Sequence, residues 1–226
     1  MARMIEEYDL LLEIEPGTSL FRARIHPSSE TPASAAELGA PPPDKAQQNR
    51  MSPAGIPMFY ASESRDAAVE EARAANLMAG QSMTVALFQP TETVIVVDFS
   101  KLPVIPSVFD EAEATPRIRQ ELGFLYGFRR DIGQAVKHDG REHIEYVPTQ
   151  VVCEYLRFHL APKLGSEVHG VAWGSTRSAG SLNVALFLDG SRCVDIVDQR
   201  SVVLSGPLMG LLSYSCVEGK PNLNAG

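Results

Sequence analysis

The sequence predicts an α+β fold in which mixed, mostly antiparallel sheets carry flanking helices, and three features point to it. Two β-branched apolar runs, Ser82–Phe88 and Thr93–Phe99, follow one another across a turn at Pro90. Two amphipathic stretches of helix length come next, and the last third returns to short apolar segments separated by turns. Strands and helices therefore fall in blocks, whereas a doubly wound parallel sheet alternates them.

Size and composition set the frame. At 226 residues, with 44% hydrophobic and 21% charged residues, the chain reads as a single domain over 1–226 that closes a core without disulfides. Its formal charge of −8 argues against a general nucleic-acid binder, which needs a broad cationic face to displace counterions. An anionic ligand would need a local basic pocket. Cys153, Cys193 and Cys216 are odd in number, far apart and without C-x-x-C spacing, which fits buried thiols in a reducing compartment and no structural zinc. The five histidines lack ligand spacing, so no metal site is expected. The opening residues show no signal-peptide pattern, and no run of about 18 apolar residues occurs. The expectation is a soluble protein of the cytoplasm, or one delivered into a target cell without a signal peptide.

Taken in order, Tyr8–Ile14 contains Leu10, Leu11 and Leu12 and reads as either a strand or a short helix before the Pro16-Gly17 turn. Ser19–His26 has strand character, with Leu20, Arg22 and Arg24 on one face and Phe21, Ala23 and Ile25 on the other. Periodicity alone makes the arginine face a solvated strand edge. Residues 27–57, rich in Pro, Ser, Ala and Gly, form a long loop whose last part, around Arg50, reads as an ordered site loop. Met58-Phe59-Tyr60 is a short strand, and Ser64 or Asp66 caps a helix over 65–79 with Ala68, Ala72 and Ala75 as a small-residue face. The runs 82–88 and 93–99 read as central strands. Helices follow at 116–136, with Ile118, Leu122, Leu125 and Ile132 on one stripe, and at 149–160, with Thr149 as N-cap. Val168–Trp173, Leu182–Leu188, Cys193–Val197 and Val202–Leu204 are the later strands, Gly174–Gly180 is a loop, and the tail from about 218 to 226 reads as flexible.

The stock catalytic signatures G-x-S-x-G, H-E-x-x-H, the Walker loop and G-x-G-x-x-G are all missing. What remains is Arg22, Arg50, Tyr60, Glu71 and the serine-bearing loop Gly-Ser-Thr-Arg-Ser-Ala-Gly at 174–180. Taken singly these have plain readings: a solvated helix glutamate beside Glu70, a loop cation, a core ring. Taken together they resemble the RES family, whose members include toxins of RES–Xre toxin–antitoxin pairs. Leu20-Phe21-Arg22 matches the family's opening arginine; Arg50, Gly55 and Tyr60 match its second arginine, turn and tyrosine. Glu71 falls in an Ala-rich helix as the family glutamate does, and Trp173-Gly174-Ser175, followed by Asn183, resembles the later serine element. The resemblance spans most of residues 19–190. Asn49-Arg50-Met51-Ser52 stands where the family has Gly-Arg-Trp-Asn, Ala23 replaces a tyrosine of some members, and the 27–49 loop is longer than in compact toxins.

The resemblance implies an ADP-ribosyltransferase-like fold that takes NAD+ as substrate, uses no prosthetic group, and breaks the nicotinamide–ribose bond by hydrolysis or phosphorolysis. It makes Glu71, Arg50 and Ser175 catalytic, with Arg22, Arg24, Tyr60, Asn183 and Ser178 binding the nucleotide; Ser178 stands as an alternative to Ser175. A carboxylate suits this chemistry because the ribose becomes oxocarbenium-like as nicotinamide departs. Arginine forks suit a pyrophosphate, and a tyrosine suits a stacked ring. Glu71 and not Glu70 should face the ribose, since one helical step turns the side chain by about 100°. The segment before Arg50 reads as a cover for the nucleotide. Transfer of ADP-ribose to a protein target, or a catalytically inactive nucleotide- or partner-binding module, are the alternatives. The expected partners are NAD+ and an antitoxin or immunity protein, Xre-like in a toxin–antitoxin pair.

Overall fold

A computed structural model of the chain describes residues 1–73, 78–110, 115–134, 140, 142–195 and 209–217. Within them nine strands form one sheet: β1 (Leu11–Ile14), β2 (Leu20–Pro27), β3 (Phe59–Ser62), β4 (Gln81–Pro90), β5 (Val94–Asp98), β6 (Gly170–Gly174), β7 (Leu182–Leu186), β8 (Cys193–Asp195) and β9 (Met209–Val217). Their spatial order is β1-β5-β6-β7-β3-β2-β4-β9-β8. The β5–β6 and β8–β9 pairs are parallel and the remaining neighbours antiparallel, so the fold is α+β with a single mixed sheet instead of several. The helices are α1 (Ala2–Glu7), α2 (Ala35–Leu38), α3 (Arg65–Arg73), α4 (Thr115–Ile132), α5 (Glu142–Glu145), α6 (Val147–His159) and α7 (Ala161–Leu164). Among the described residues no helix is long and apolar enough to cross a membrane.

Alternation along the strands divides the core into two layers. One face of the sheet sets Val97, Val171, Trp173 and Ala185 against Leu122, Leu125 and Phe128 of α4 and Cys153 and Leu156 of α6. On that face Met83 and Val85 lie under Val69 of α3. The opposite face sets Leu20, Phe59, Phe88, Val96 and Leu186 against Leu38 and Ala40. The 27–57 segment is therefore more than loop. A capping box at its centre, with Glu37 N–H on the Ser34 hydroxyl and the Glu37 carboxylate on Ser34 N–H, starts α2, and a short 3-10 turn follows at Pro43–Lys45. Ala35 N–H donates to Asp195 (2.9 Å) and Ala40 N–H to the Cys193 sulfur (3.4 Å), which anchors the segment to β8.

Several expectations change. Of the two readings of Tyr8–Ile14 the strand holds, as β1, and an unexpected helix, α1, precedes it. The runs at 82–88 and 93–99 become β4 and β5, which do not pair and lie toward opposite margins of the sheet; the centre belongs to the short β3 and its neighbours β7 and β2. Continuous apolar runs report burial on two faces, which does not by itself give sheet position. β2 is an interior strand and not a solvated edge. Thr149 lies inside α6, whose N-cap is Tyr146; its single hydroxyl proton has the Arg50 and Tyr146 carbonyls within reach as alternative acceptors. β9, broken up in sequence by Gly210, Ser213 and Ser215, was not expected, and it covers β4 along its length. Cys153 and Cys193 are buried but Cys216 is exposed. The expected Val202–Leu204 strand, residues 74–77 of the helix expected over 65–79, residues 135–136 of the helix expected over 116–136, residues 196–197 and the 218–226 tail lie outside the described residues.

Gly170 shows how closely β6 and β7 approach. A Cβ there would sit 2.3 Å from the Ala185 carbonyl oxygen and 2.9 Å from Leu186 Cα, both backbone atoms that cannot swing aside. Gly170→Ala is expected to destabilise the protein by about 1–3 kcal/mol, the usual cost of overpacking, read as a lower urea midpoint with unchanged slope.

Candidate functional site

The site grows from a weak seam in the sheet. β2 runs in register with β4 from Leu20 to Pro27, and β3 runs in register with β7 from Phe59 to Ser62, yet β2 and β3 meet only at Phe21 and Ser62. Beyond that pair the strands part. Arg22 ties them: its Nη1 donates to the Tyr60 carbonyl (2.8 Å) and its Nε to the Leu38 carbonyl (3.1 Å), with the guanidinium 5.3 Å from the Phe59 ring centre. Burial lowers the Arg22 pKa to about 10, with neighbouring Arg24 adding to the effect, so the side chain remains a cation at neutral pH.

Above the seam lies a cavity of about 250 Å³. Tyr60 and Trp173 supply aromatic walls, Glu71 and Asn183 the polar centre, and Arg22 borders the cavity at the seam. Ala68, Glu71 and Ala72 stand three and four residues apart on α3 and therefore share one face; the two alanines leave room where larger side chains would fill it. Glu70 points away and pairs with Arg73 at 2.7 Å on the surface.

Glu71 is fixed from several directions. Its Oε1 accepts from Asn183 Nδ2 (3.0 Å) and the Ser175 hydroxyl (3.4 Å), and its Oε2 lies 3.4 Å from Arg177 Nε. Asn183 is only 3% exposed and stands on β7 between Ser62 of β3 and Trp173 of β6. Because a carboxylate accepts and never donates, Asn183 must turn its NH2 toward Glu71. Its Oδ1 is then buried with no hydrogen-bond partner, an open acceptor at the cavity. The 174–180 loop presents Ser175 in a set geometry: Ser175 N–H donates to Ser181 O (2.8 Å), while its Oγ accepts the N–H groups of Arg177 and Ser178, both at 3.2 Å. The hydroxyl proton is thereby left for Glu71.

Tyr60 donates its phenol to Asn49 Oδ1, which also accepts from Met51 N–H (2.8 Å) and Ser52 N–H (3.0 Å). Burial pushes this phenol well above its ordinary value, so Tyr60 is neutral.

The structure thus brings Glu71, Ser175, Asn183, Tyr60 and Arg22 together, with Ser178 reaching the cluster through its backbone. Arg50 and Arg24 do not line the cavity. Arg50 is buried against the Tyr146 ring, 4.7 Å from its centre, and donates from Nε to the Gln134 carbonyl (3.2 Å). Gln150 Nε2 holds the neighbouring Asn49 carbonyl at 2.8 Å, so the Asn49–Arg50 turn is stitched to α6. Arg24, on the same face of β2 as Arg22 but farther from the seam, donates to the Glu37 carbonyl. No residue of 27–57 lines the cavity either, which removes the expected cover; Ala35, Leu38 and Ala40 pack on the far face. Sequence reasoning gave no role to Arg177 or Trp173. Arg177 is the one cation in the 174–180 loop, and that was the available signal. Among the described residues no cluster of His, Cys, Asp and Glu could hold a metal ion.

Fold and site together define an α+β protein with a carboxylate-centred cavity at a split in its sheet. The RES domain model matches residues 19–205, from the start of the Arg22 strand past Asn183, and the chain belongs to the RES domain family. No curated protein and no solved structure matches the chain.

The two arginines of β2 should separate on mutation. Arg22→Ala leaves two carbonyls at the seam without their donor and is expected to cost about 1–3 kcal/mol in chemical denaturation. Arg24→Ala, which removes an exposed contact, is expected to stay within about 0.5 kcal/mol.

Proposed function

We propose that the chain consumes NAD+, cleaving the nicotinamide–ribose bond by hydrolysis or phosphorolysis within an ADP-ribosyltransferase-like fold. The observation that carries this reading is the Glu71 carboxylate, fixed by Asn183, Ser175 and Arg177 beside two aromatic rings, with the half-buried Arg22 at the seam. Membership of the RES family supports the same chemistry.

In this reading the nicotinamide ring lies against Tyr60 and Trp173, and its ribose reaches Glu71. A cavity of about 250 Å³ takes one ring and its sugar, so the pyrophosphate and adenosine extend outward, toward the charges of Arg22 and Arg177. As the C1–nitrogen bond breaks, nicotinamide leaves with the electron pair and positive charge grows on the ribose. Glu71, accepting the ribose hydroxyls, stabilises that charge in a site already organised for it. Water or phosphate then forms the new bond at C1, and water gives up its proton to solvent. Asn183 and Ser175 position the carboxylate, and the free Asn183 Oδ1 accepts from a ribose hydroxyl or the carboxamide. Arg50 acts one layer back: it braces the turn whose Asn49 holds the Tyr60 phenol. As a toxin of the cytoplasm, the protein would be restrained by an antitoxin or immunity protein that closes this cleft.

Nicotinamide release from NAD+, followed with and without phosphate, tests the proposal. Glu71→Gln should slow release by about 100-fold or more, the scale of losing a preorganised electrostatic group, while Glu70→Gln should match the unaltered protein. Label appearing on protein would mean ADP-ribose transfer. Bound but intact NAD+ would mean an inactive binding module, and no release or binding under either condition would overturn the reading.

A further inference from the structure

A second cavity, about 500 Å³, opens at the other end of the β6–β7 pair. Trp173 and Asn183 carry this pair to the Glu71 cavity, while His169 and Phe187, joined by Phe187 N–H on the His169 carbonyl at 2.7 Å, border the second one. The intervening strand, Gly170–Gly174, separates the two by roughly 13–16 Å at about 3.3 Å per residue. The volume falls in the range of about 300–1,000 Å³ usual for small-molecule sites.

Its polar groups are set up for a ligand. Among the described residues two buried side-chain atoms lack a hydrogen-bond partner: Asn183 Oδ1 in the first cavity, and Arg157 Nη1 on a residue that lines the second. A buried guanidinium nitrogen without an acceptor is costly, and an incoming oxyanion would satisfy it. His169 accepts Ile95 N–H at Nδ1 (3.0 Å), which leaves an Nε2 proton, 3.5 Å from a Glu167 carboxylate oxygen, as a donor at the cavity. Asp189 accepts from Ser191 N–H (2.8 Å) and the Ser191 hydroxyl (2.5 Å) through Oδ1 alone. The Ser191 hydroxyl foremost, aided by the charges of Arg192 and Arg157, keeps this carboxyl below its ordinary value and hence ionised at neutral pH. Phe187 and Leu188 provide apolar wall.

The charges decide the ligand class. Arg157 and Arg192 share the lining with Glu167 and Asp189, so its charges balance and do not favour a polyanion such as a dinucleotide. A neutral molecule with separated opposite charges on an apolar body matches it. We propose that this cavity binds a small zwitterion of the apolar α-amino-acid type, its carboxylate on Arg157 and His169, its ammonium on Asp189, and its side chain against Phe187 and Leu188.

Titration of L-phenylalanine and L-leucine into isotopically labelled protein, followed by amide chemical shifts, tests this. Saturable shifts are expected around Phe187–Ser191, and Arg157→Gln or Asp189→Asn should weaken binding by about tenfold or more, as expected for losing a charge-assisted hydrogen bond. Phenylacetate and phenethylamine, each lacking one charge, should bind more weakly than phenylalanine, and Glu71→Gln should leave affinity unchanged. No saturable shift with either amino acid, shifts confined to the Glu71 cavity, or phenylacetate binding as tightly as phenylalanine would overturn the proposal. If an Arg157 variant loses the native spectrum, Leu188→Trp, which fills the cavity without changing charge, should abolish binding; retained binding in it would equally overturn the proposal.

Discussion

One residue pair and one guanidinium join the two halves of the sheet at its middle. β3 belongs with β7, β2 belongs with β4, and between them stand only the Phe21–Ser62 pairing and the bonds from Arg22 to the Tyr60 and Leu38 carbonyls. A continuous ladder there would leave no opening. A seam without the arginine would leave carbonyls unpaired and the halves loosely docked. Arg22 is accordingly retained as a charge despite its burial, because backbone acceptors replace much of the water it loses. The cavity follows from this arrangement: strands that separate must expose an interior surface, and α3 roofs it with alanines and one glutamate.

That glutamate is held where its charge is matched on every side. An amide, a hydroxyl and a guanidinium converge on Glu71, and two of these come from the 174–180 loop, which Ser175 folds back on itself. Carboxylate and loop therefore fix one another, and neither depends on a long flexible side chain alone. The cost is carried by Asn183, which spends its NH2 on Glu71 and leaves a buried oxygen open. Unsatisfied buried atoms are uncommon in folded proteins, and one at a cavity beside a carboxylate is the kind that a ligand resolves.

Local pattern made part of this legible. The β2 alternation, the Tyr60 strand and the α3 stripe could be read in sequence because each depends on residues within one element, and the 3.6-residue turn alone separates Glu71 from Glu70. Arg50 was harder. Its partners, Gln134 and Tyr146, lie some 84 and 96 residues away, and nothing near position 50 shows that a loop cation will be buried against a ring. The Ser34–Glu37 capping box is a readable helix start that the surrounding prolines and serines disguised as loop. Strand order also escaped, since the apolar runs of β4 and β5 describe two buried faces and not the neighbours each strand would find.

The proposed reaction requires NAD+ in the Glu71 cavity with its nicotinamide ribose at the carboxylate. A crystal structure of the Glu71→Gln protein with NAD+ measures this directly. The nicotinamide ring is expected against Tyr60 and Trp173, its ribose within hydrogen-bond reach of residue 71 and Asn183, and the pyrophosphate beside Arg22 and Arg177. NAD+ bound instead against Arg50 and Tyr146, or in the cavity at Arg157, with the Glu71 cavity empty, would contradict it.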